Sequence, residues 1–200
     1  MKNAGLKAVI IGAVMNFALV ITKFYIGLST NSLTIYCDAV NNLGDTLGCI
    51  IALIGFASVK KLGEKQSERA QSLATFVINI IISATGIYFI YNGLERLMYP
   101  LPVAYSMKYV IILGATVGVK IIMGLMYKRF NSREKSSVLS ALVLDSFLDC
   151  FITLAALMSL VLVSRVRVAV DGIFAIATGG VITAAAIKGI VKEAKALISD

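Results

Sequence analysis

Long apolar stretches separated by short polar segments dominate the pattern of this 200-residue sequence. An α-helix needs about 20 mostly apolar residues to cross the roughly 30 Å hydrocarbon core of a bilayer. Six stretches meet that requirement: 8–28, 33–59, 73–91, 109–127, 138–163 and 168–187. The pattern therefore predicts an all-α fold, a six-helix transmembrane bundle. Because the spans use almost the whole length, we expect a single transmembrane domain over residues 1–200.

Basic residues lie between the apolar stretches rather than on one face, so the net charge of +8 favours membrane topology over nucleic-acid binding. Clusters precede the first span, follow the second and fourth, and end the chain: Lys2 and Lys7; Lys60, Lys61, Lys65 and Arg69; Lys128, Arg129, Arg133 and Lys135; Lys188, Lys192 and Lys195. The loops on the opposite side hold few basic residues. The positive-inside rule then predicts that the N and C termini are both cytoplasmic. The polar segments 60–69 and 128–135 are expected to be solvated turns.

Hydrophobic residues make up 58% of the chain and charged residues only 15%, which is too little polar surface for a soluble globule. Cys37, Cys49 and Cys150 lie inside predicted spans without zinc-knuckle or redox spacing, so we expect buried free thiols. No serine, cysteine or histidine constellation suits nucleophilic catalysis, and the chain contains no histidine. We therefore expect no enzyme and no resident cofactor.

Acidic residues inside two predicted spans need an explanation, because a carboxylate at mid-bilayer costs at least about 2.5–3.5 kcal/mol. Asp38 and Asp45 lie in the second span, and Asp145 and Asp149 lie in the fifth. Positions four apart share one face of a helix. The pairs Asn41 with Asp45 and Asp145 with Asp149 therefore each present two oxygen-bearing side chains on one face, and together they could converge on a divalent cation.

The alternative reading is that these polar residues cap helices or form hydrogen bonds across the bundle. Three carboxylates in one place would repel one another unless protons or a cation neutralised them, which favours a metal site. The most common zinc sites use histidine and cysteine, so oxygen donors favour a hard ion such as Mn²⁺. Cys49, one turn beyond Asp45, could soften the site, although packing is its commoner role.

Other charged residues in the spans have less definite roles. Asp38 could be a second-shell acceptor, a proton carrier or a station on the access path. Lys23 and Lys120 could pair with the acids or extend toward the cytoplasmic surface, and we expect the latter for Lys120. Asp171, which opens the sixth span near Arg165 and Arg167, is expected to be an interfacial carboxylate with a possible salt bridge.

These residues resemble the cation diffusion facilitator family over essentially the whole chain. The resemblance lies in the first two helices, the end of the third, the fifth and the opening of the sixth: Asn16, Lys23, Gly27, Ser32, Leu33, Asp38, Asn41 and Asp45; Gly86, Gly93, Arg96 and Pro100; Ser137, Leu139, Ala141, Asp145 and Asp149; Asp171. It implies a homodimeric, proton-coupled exporter of divalent metals with alternating access, whose transport site is Asn41, Asp45, Asp145 and Asp149. The expected location is a multi-pass protein of a prokaryotic plasma (inner) membrane.

Two departures from the family pattern refine this expectation. Zinc-transporting members usually have histidine in at least one of the two metal-binding pairs and in the loop after the second helix. This chain has no histidine, and its two pairs resemble those of a manganese-type member. Most members also continue into a cytoplasmic metal-binding domain, and this sequence stops at Asp200 without one. Efflux of Zn²⁺, Fe²⁺ or Cd²⁺ by the same mechanism, an organic-cation carrier and a non-transporting membrane subunit are the alternatives.

Overall fold

The structure is a computed structural model that describes residues 3–134, 137–166 and 169–198. The regular structure in these ranges is helical throughout: α1 (Asn3–Thr30), α2 (Leu33–Leu62), α3 (Glu64–Met98), α4 (Met107–Glu134), α5 (Ser137–Val163) and α6 (Val170–Ile198). All six helices are long and apolar enough to cross a membrane. The predicted six-helix, all-α bundle is confirmed.

The helices extend beyond the apolar stretches that predict them, most clearly on the side where the basic clusters lie. The segment 60–69, expected as a solvated turn, is helical except at Gly63, whose φ of 80° interrupts the helix between α2 and α3. The segment after the fourth span is likewise helical as far as Glu134. The expectation of turns was wrong because lysine, glutamate and glutamine are good helix formers, so a polar segment can continue a helix into solvent. The predicted start of the last span at Val168 lies outside the described residues, and α6 begins at Val170.

Large apolar side chains cover the outside of the bundle, as a lipid environment requires. Phe17 is 53% exposed, Leu28 70% and Phe151 67%. In water such a surface would drive aggregation, whereas in a bilayer it is the favourable contact with hydrocarbon. The buried interior is correspondingly rich in polar side chains, including two lysines and three aspartates.

The central helices of the bundle are α2 and α5, which pack against each other. Helix α2 also contacts α1, α3 and α6, and α5 also contacts α4 and α6. Helix α4 packs on α1 as well as on α5. Any side chain on the inner faces of α2 and α5 can therefore be reached from most of the other helices.

Glycines bring α3 and α6 into close contact along their length. A Cβ atom on Gly179 would lie 2.9 Å from the carbonyl oxygen of Gly86, and one on Gly172 would lie 2.8 Å from that of Gly93. Within each helix the two glycines are about two turns apart, so both contacts lie on one face. The missing side chains let the two backbones approach, as is common in membrane bundles. This pairing places α6 as one wall of the interior.

Asp171 joins the start of α6 to the start of α2. Its carboxylate accepts hydrogen bonds from the backbone nitrogens of Leu33 at 2.7 Å and Thr34 at 3.2 Å. These are the first amides of α2, which have no partner inside their own helix, and the positive end of the helix favours a carboxylate there. Asp171 therefore caps a neighbouring helix rather than only its own.

The ion-pair partner of Asp171 differs from the one that the sequence suggested. Arg96 of α3 donates to the carboxylate at 2.6 Å, and the side chain of Asp171 is buried. Arg165 is exposed beyond the end of α5, and Arg167 lies outside the described residues. Proximity in sequence was a poor guide because the turn after α5 directs Arg165 away from the bundle, while α3 ends beside α6.

Candidate metal site

The two polar pairs predicted on the second and fifth spans meet at one place. Asn41, Asp45, Asp145 and Asp149 all line a cavity of about 270 Å³ bounded by α2, α3, α5 and α6. At 1.5 Å per residue, Asp45 and Asp149 each lie roughly 20 Å along the helix from the ends joined to the Asp171 cap. The four side chains therefore gather at similar depth, near the middle of the bundle.

Direct contacts tie the pair on α2 to the pair on α5. The side-chain nitrogen of Asn41 donates a hydrogen bond to Oδ1 of Asp149. Because the nitrogen is used in this way, the amide oxygen of Asn41 is the atom that could bind a cation. Asp149 is almost fully buried, whereas the side chain of Asp45 retains 17% exposure.

Lys120 of α4 enters the same site from the other side of α2 and α5. Its ammonium group donates to Oδ2 of Asp45 at 3.0 Å, to Oδ2 of Asp149 and to Oδ1 of Asn16 at 2.7 Å. Only 1% of Lys120 is exposed, so the expectation that it extends toward the cytoplasmic surface is wrong. The physical reason is its depth: Lys120 lies roughly 20 Å from either end of α4, beyond the reach of its side chain.

Asp145 differs from the other two carboxylates. It is exposed to the cavity, and no ion pair to it is present in the described part of the chain. Asp45 and Asp149 share one lysine, so the group of three carboxylates is only partly neutralised. The site therefore keeps an excess of negative charge beside an accessible space, which attracts a cation.

The side chains are not arranged as a ready coordination shell. Among the described residues, no group of three or more aspartate, glutamate, cysteine or histidine side chains is close enough to hold a metal ion. Asp45 and Asp149 are turned toward Lys120, while Asp145 faces the cavity. Binding of a metal to all of them requires these side chains to reorient.

Asp38 lies in a separate, closed cluster. Its Oδ1 accepts hydrogen bonds from Lys23 of α1 at 2.8 Å, from Thr153 of α5 at 3.3 Å and from Asn42 at 3.2 Å. Lys23 and Asp38 are both completely buried. Of the described residues that line the cavity, none belongs to this cluster. Lys23 therefore pairs with an acid, one of the two alternatives that the sequence left open.

The three cysteines are free and buried, as expected. Cys49 is only 1% exposed and is not among the described residues that line the cavity, whereas the preceding Gly48 is. The thiol therefore packs inside the bundle next to the site instead of facing the space beside Asp45.

Three residues of the site or its cavity were missing from the site predicted from the sequence. Lys120 contacts two of the acids, Asn16 accepts a hydrogen bond from Lys120, and Asn79 of α3 lines the cavity. The position of Lys120 in the middle of an apolar stretch was a usable signal, since an unpaired lysine at that depth is unfavourable. Asn79 carries no such signal because a single asparagine in a span is commonly satisfied by its own helix.

Comparison with known proteins agrees with this architecture. Residues 9–198 match the cation efflux transmembrane domain. The chain is also 29% identical over 122 residues to a cadmium, cobalt and zinc/H⁺-K⁺ antiporter of Bacillus velezensis. That match covers 56% of this chain and 38% of the relative, so the chain spans well under half of the relative's length. By the family match over nearly its whole length, the chain belongs to the cation efflux family, the cation diffusion facilitators that its sequence resembles.

Proposed function

We propose that this protein exports divalent metal cations in exchange for protons, with Mn²⁺ as the favoured ion. The observation that carries the proposal is the convergence of Asn41, Asp45, Asp145 and Asp149 on one cavity near the middle of the bundle. Membership of the cation efflux family supports the transport of a metal ion. The carboxylate and amide oxygens that line this cavity support a cation site at that depth.

The donor atoms favour Mn²⁺ over softer ions. Three carboxylates and one amide oxygen form an all-oxygen set, which suits hard cations, and the chain has no histidine to offer zinc. The relative from Bacillus velezensis is named for cadmium, cobalt and zinc. Zn²⁺, Fe²⁺ and Cd²⁺ are therefore the competing substrates that an assay must include.

Exchange with protons follows from the charge of the site. Carboxylates crowded in a poorly solvated interior repel one another, so each additional negative charge is stabilised by a proton or by a cation. A metal arriving from the cytoplasm would replace protons, and protons arriving from the other side would weaken carboxylate coordination and release the metal. Access alternates between the two sides as the helices around the cavity rearrange.

The assembly and location form part of the same proposal. We expect a homodimer in a prokaryotic plasma membrane with both termini in the cytoplasm, as the resemblance and the basic clusters indicate. Chemical crosslinking in native membranes tests the dimer. Accessibility of a cysteine introduced after Lys195 tests the side on which the C terminus lies.

Transport by the purified protein in proteoliposomes tests the assignment. Asp45→Ala and Asp149→Ala should each abolish Mn²⁺ uptake driven by a proton gradient, because each removes one of the carboxylates that would bind the ion. Glu95→Ala is the matched control, since Glu95 is an exposed acid near the end of α3 and outside the cavity. Wild-type rates in either aspartate variant would contradict the site.

Competition between ions tests the substrate. In the wild type, an excess of Zn²⁺, Fe²⁺ or Cd²⁺ should inhibit Mn²⁺ uptake less than unlabelled Mn²⁺ does. A preference for Zn²⁺ or Cd²⁺ would correct the ion and leave the site in place. Transport of organic cations without any response to metals, or a protein that binds no metal, would replace the proposal by one of the alternative functions.

A further inference from the structure

We propose that Lys120 is a built-in counter-ion that occupies the transport site when no metal is bound, so that Lys120 and the metal compete for the same carboxylates. This inference rests on the proposed function and adds a regulatory element to its site. It goes beyond the two polar pairs, Asn41 with Asp45 and Asp145 with Asp149, since Lys120 lies on a different helix, α4.

Three described acceptors surround the ammonium group of Lys120. An ammonium group has three N–H donors. The three acceptors on Asn16, Asp45 and Asp149 match them in number, and Lys120 is buried. A lysine held only for packing would not need two carboxylates. The interactions instead place one unit of positive charge between Asp45 of α2 and Asp149 of α5.

The same two carboxylates are half of the proposed metal site. A carboxylate oxygen that accepts a hydrogen bond from an ammonium group is not free to coordinate a cation with that lone pair. Metal coordination through Oδ2 of Asp45 or of Asp149 therefore competes with the ammonium group of Lys120. Because Lys120 is tethered to α4, which packs on α5, it remains close and competes at a high effective concentration.

The arrangement also fits a divalent ion better than a monovalent one. Asp45, Asp145 and Asp149 with Lys120 carry a formal charge of −2 when all four are ionised. A divalent cation beside the displaced but nearby lysine brings the site to neutrality, whereas a monovalent cation leaves a buried charge.

Return of Lys120 would assist release of the metal. In this scheme Asp45 and Asp149 always hold a cation, either the transported ion or the lysine, so neither state leaves these two carboxylates without an opposite charge. Lys120 is thus a positioning residue that shapes the metal-free state. Its removal should tighten metal binding and slow turnover, since the competitor that helps to displace the ion is gone.

Mn²⁺ binding to the full-length chain in detergent, followed by calorimetry at fixed pH, tests the inference. Lys120→Gln should bind Mn²⁺ at least about tenfold more tightly than the wild type, because the lysine-occupied state no longer reduces the competent fraction. Lys120→Arg keeps the charge and should stay within about threefold of the wild type. Lys108→Gln is the matched control, the same change at an exposed lysine in the first turn of α4 and away from the cavity, and it should leave the affinity unchanged.

Asn16→Leu provides a second variant that leaves Lys120 and all four candidate ligands in place. It removes one of the three acceptors of the ammonium group, so it should tighten Mn²⁺ binding by about threefold. In proteoliposomes, Lys120→Gln should lower both kcat and KM for Mn²⁺, the pattern expected when substrate is held too tightly. The rise in unfolding temperature on adding Mn²⁺ should likewise be larger for Lys120→Gln than for the wild type.

Equal or weaker Mn²⁺ binding by Lys120→Gln or Asn16→Leu, beside a wild type that binds, would overturn this inference and leave the proposed function intact. Binding by Lys120→Gln with none by the wild type would support it in its strongest form. If neither protein binds Mn²⁺, Zn²⁺ or Cd²⁺, the proposed function fails and this inference fails with it.

Discussion

Two buried lysines bind aspartates of the same helix, α2, in different surroundings. Lys23 pairs with Asp38 at 2.8 Å, and the side chains of both are completely buried. Lys120 pairs with Asp45 at 3.0 Å, and Asp45 keeps 17% exposure toward a cavity. Thr153 completes the first cluster with a bond of 2.8 Å from Lys23, whereas Asp149 adds a second carboxylate to the second cluster.

The comparison shows how a buried lysine–aspartate pair can either stabilise the fold or exchange its lysine for another cation. A buried ion pair is costly to assemble and more costly to break, because removal of one partner strands the other charge. Lys23, Asp38 and Thr153 are completely buried, and their hydrogen bonds join α1, α2 and α5. Beside Asp45 and Asp149, the two partners of Lys120, lies a cavity, and we propose that a metal ion replaces the lysine there.

Removal of the lysine from the closed cluster should have the largest effect. Lys23→Met leaves the Asp38 carboxylate buried without its cation, and loss of one member of such a pair costs about 3–5 kcal/mol. In detergent, the unfolding temperature of this variant should be markedly lower than that of the wild type, and added Mn²⁺ should not restore it. The unfolding temperature of Lys120→Met should fall less, because Asp45 and Asp149 line a cavity that water and ions can enter. Added Mn²⁺ should restore the unfolding temperature of this variant.

The double variant Lys23→Met/Asp38→Asn provides the control for this comparison. Neutralising both partners removes the stranded charge, so much of the stability should return. If Mn²⁺ restores the Lys23 variant as well as the Lys120 variant, the two clusters are not functionally distinct.

Displacement of α6 should disturb the cavity beside Asp45 and Asp149. Gly179→Ala places a Cβ atom 2.9 Å from the carbonyl oxygen of Gly86, so α3 and α6 must separate at a cost of about 1–3 kcal/mol. Ile182 and Ala186 of α6 line the cavity, so Mn²⁺ binding should weaken together with thermal stability. Calorimetry and thermal unfolding of the same preparation measure both effects.

Gly180→Ala is the matched control for Gly179→Ala. A Cβ atom on Gly180 meets nothing within 4 Å, although the two glycines are adjacent in the chain. This variant should unfold within about 0.5 kcal/mol of the wild type. Equal losses in the two alanine variants would show that close helix contact is not what positions this wall of the cavity.

Replacement of Asp145 should have the smallest effect on stability. Asp145 faces the cavity and lacks an ion-pair partner in the described part of the chain. Asp145→Asn should therefore unfold within about 0.5 kcal/mol of the wild type. Its affinity for Mn²⁺ should nevertheless fall by at least about tenfold, which corresponds to 1.4 kcal/mol. Unchanged Mn²⁺ affinity would remove Asp145 from the site.

Much of the fold could be predicted from the sequence because a bilayer imposes strict local requirements. Twenty apolar residues in a row predict a spanning helix whatever its neighbours are, and each of the six predicted spans corresponds to a helix of the described structure, the last from Val170 onward. Helix boundaries were less predictable. The segment 60–69 is helical except at Gly63, because lysine and glutamate are good helix formers even though they are polar.

The candidate site could be predicted only in part. Spacing by four placed Asn41 with Asp45 and Asp145 with Asp149 on single helix faces, since that relation is local to each helix. Their convergence on one cavity was a hypothesis until the packing of α2 against α5 was described. Lys120 was misplaced, because its partners lie on three other helices and no local pattern links it to them.

The sequence by itself therefore determined the number of helices, the depth of the acidic residues and the chemical character of the donors. These follow from hydropathy, helical periodicity and residue type, which act within each segment. The tertiary structure decided which charge each acid meets: Lys23 for Asp38, Lys120 for Asp45 and Asp149, and Arg96 for Asp171. Those pairings depend on helix packing, because a buried charge is stabilised by whichever opposite charge the neighbouring helices bring within reach.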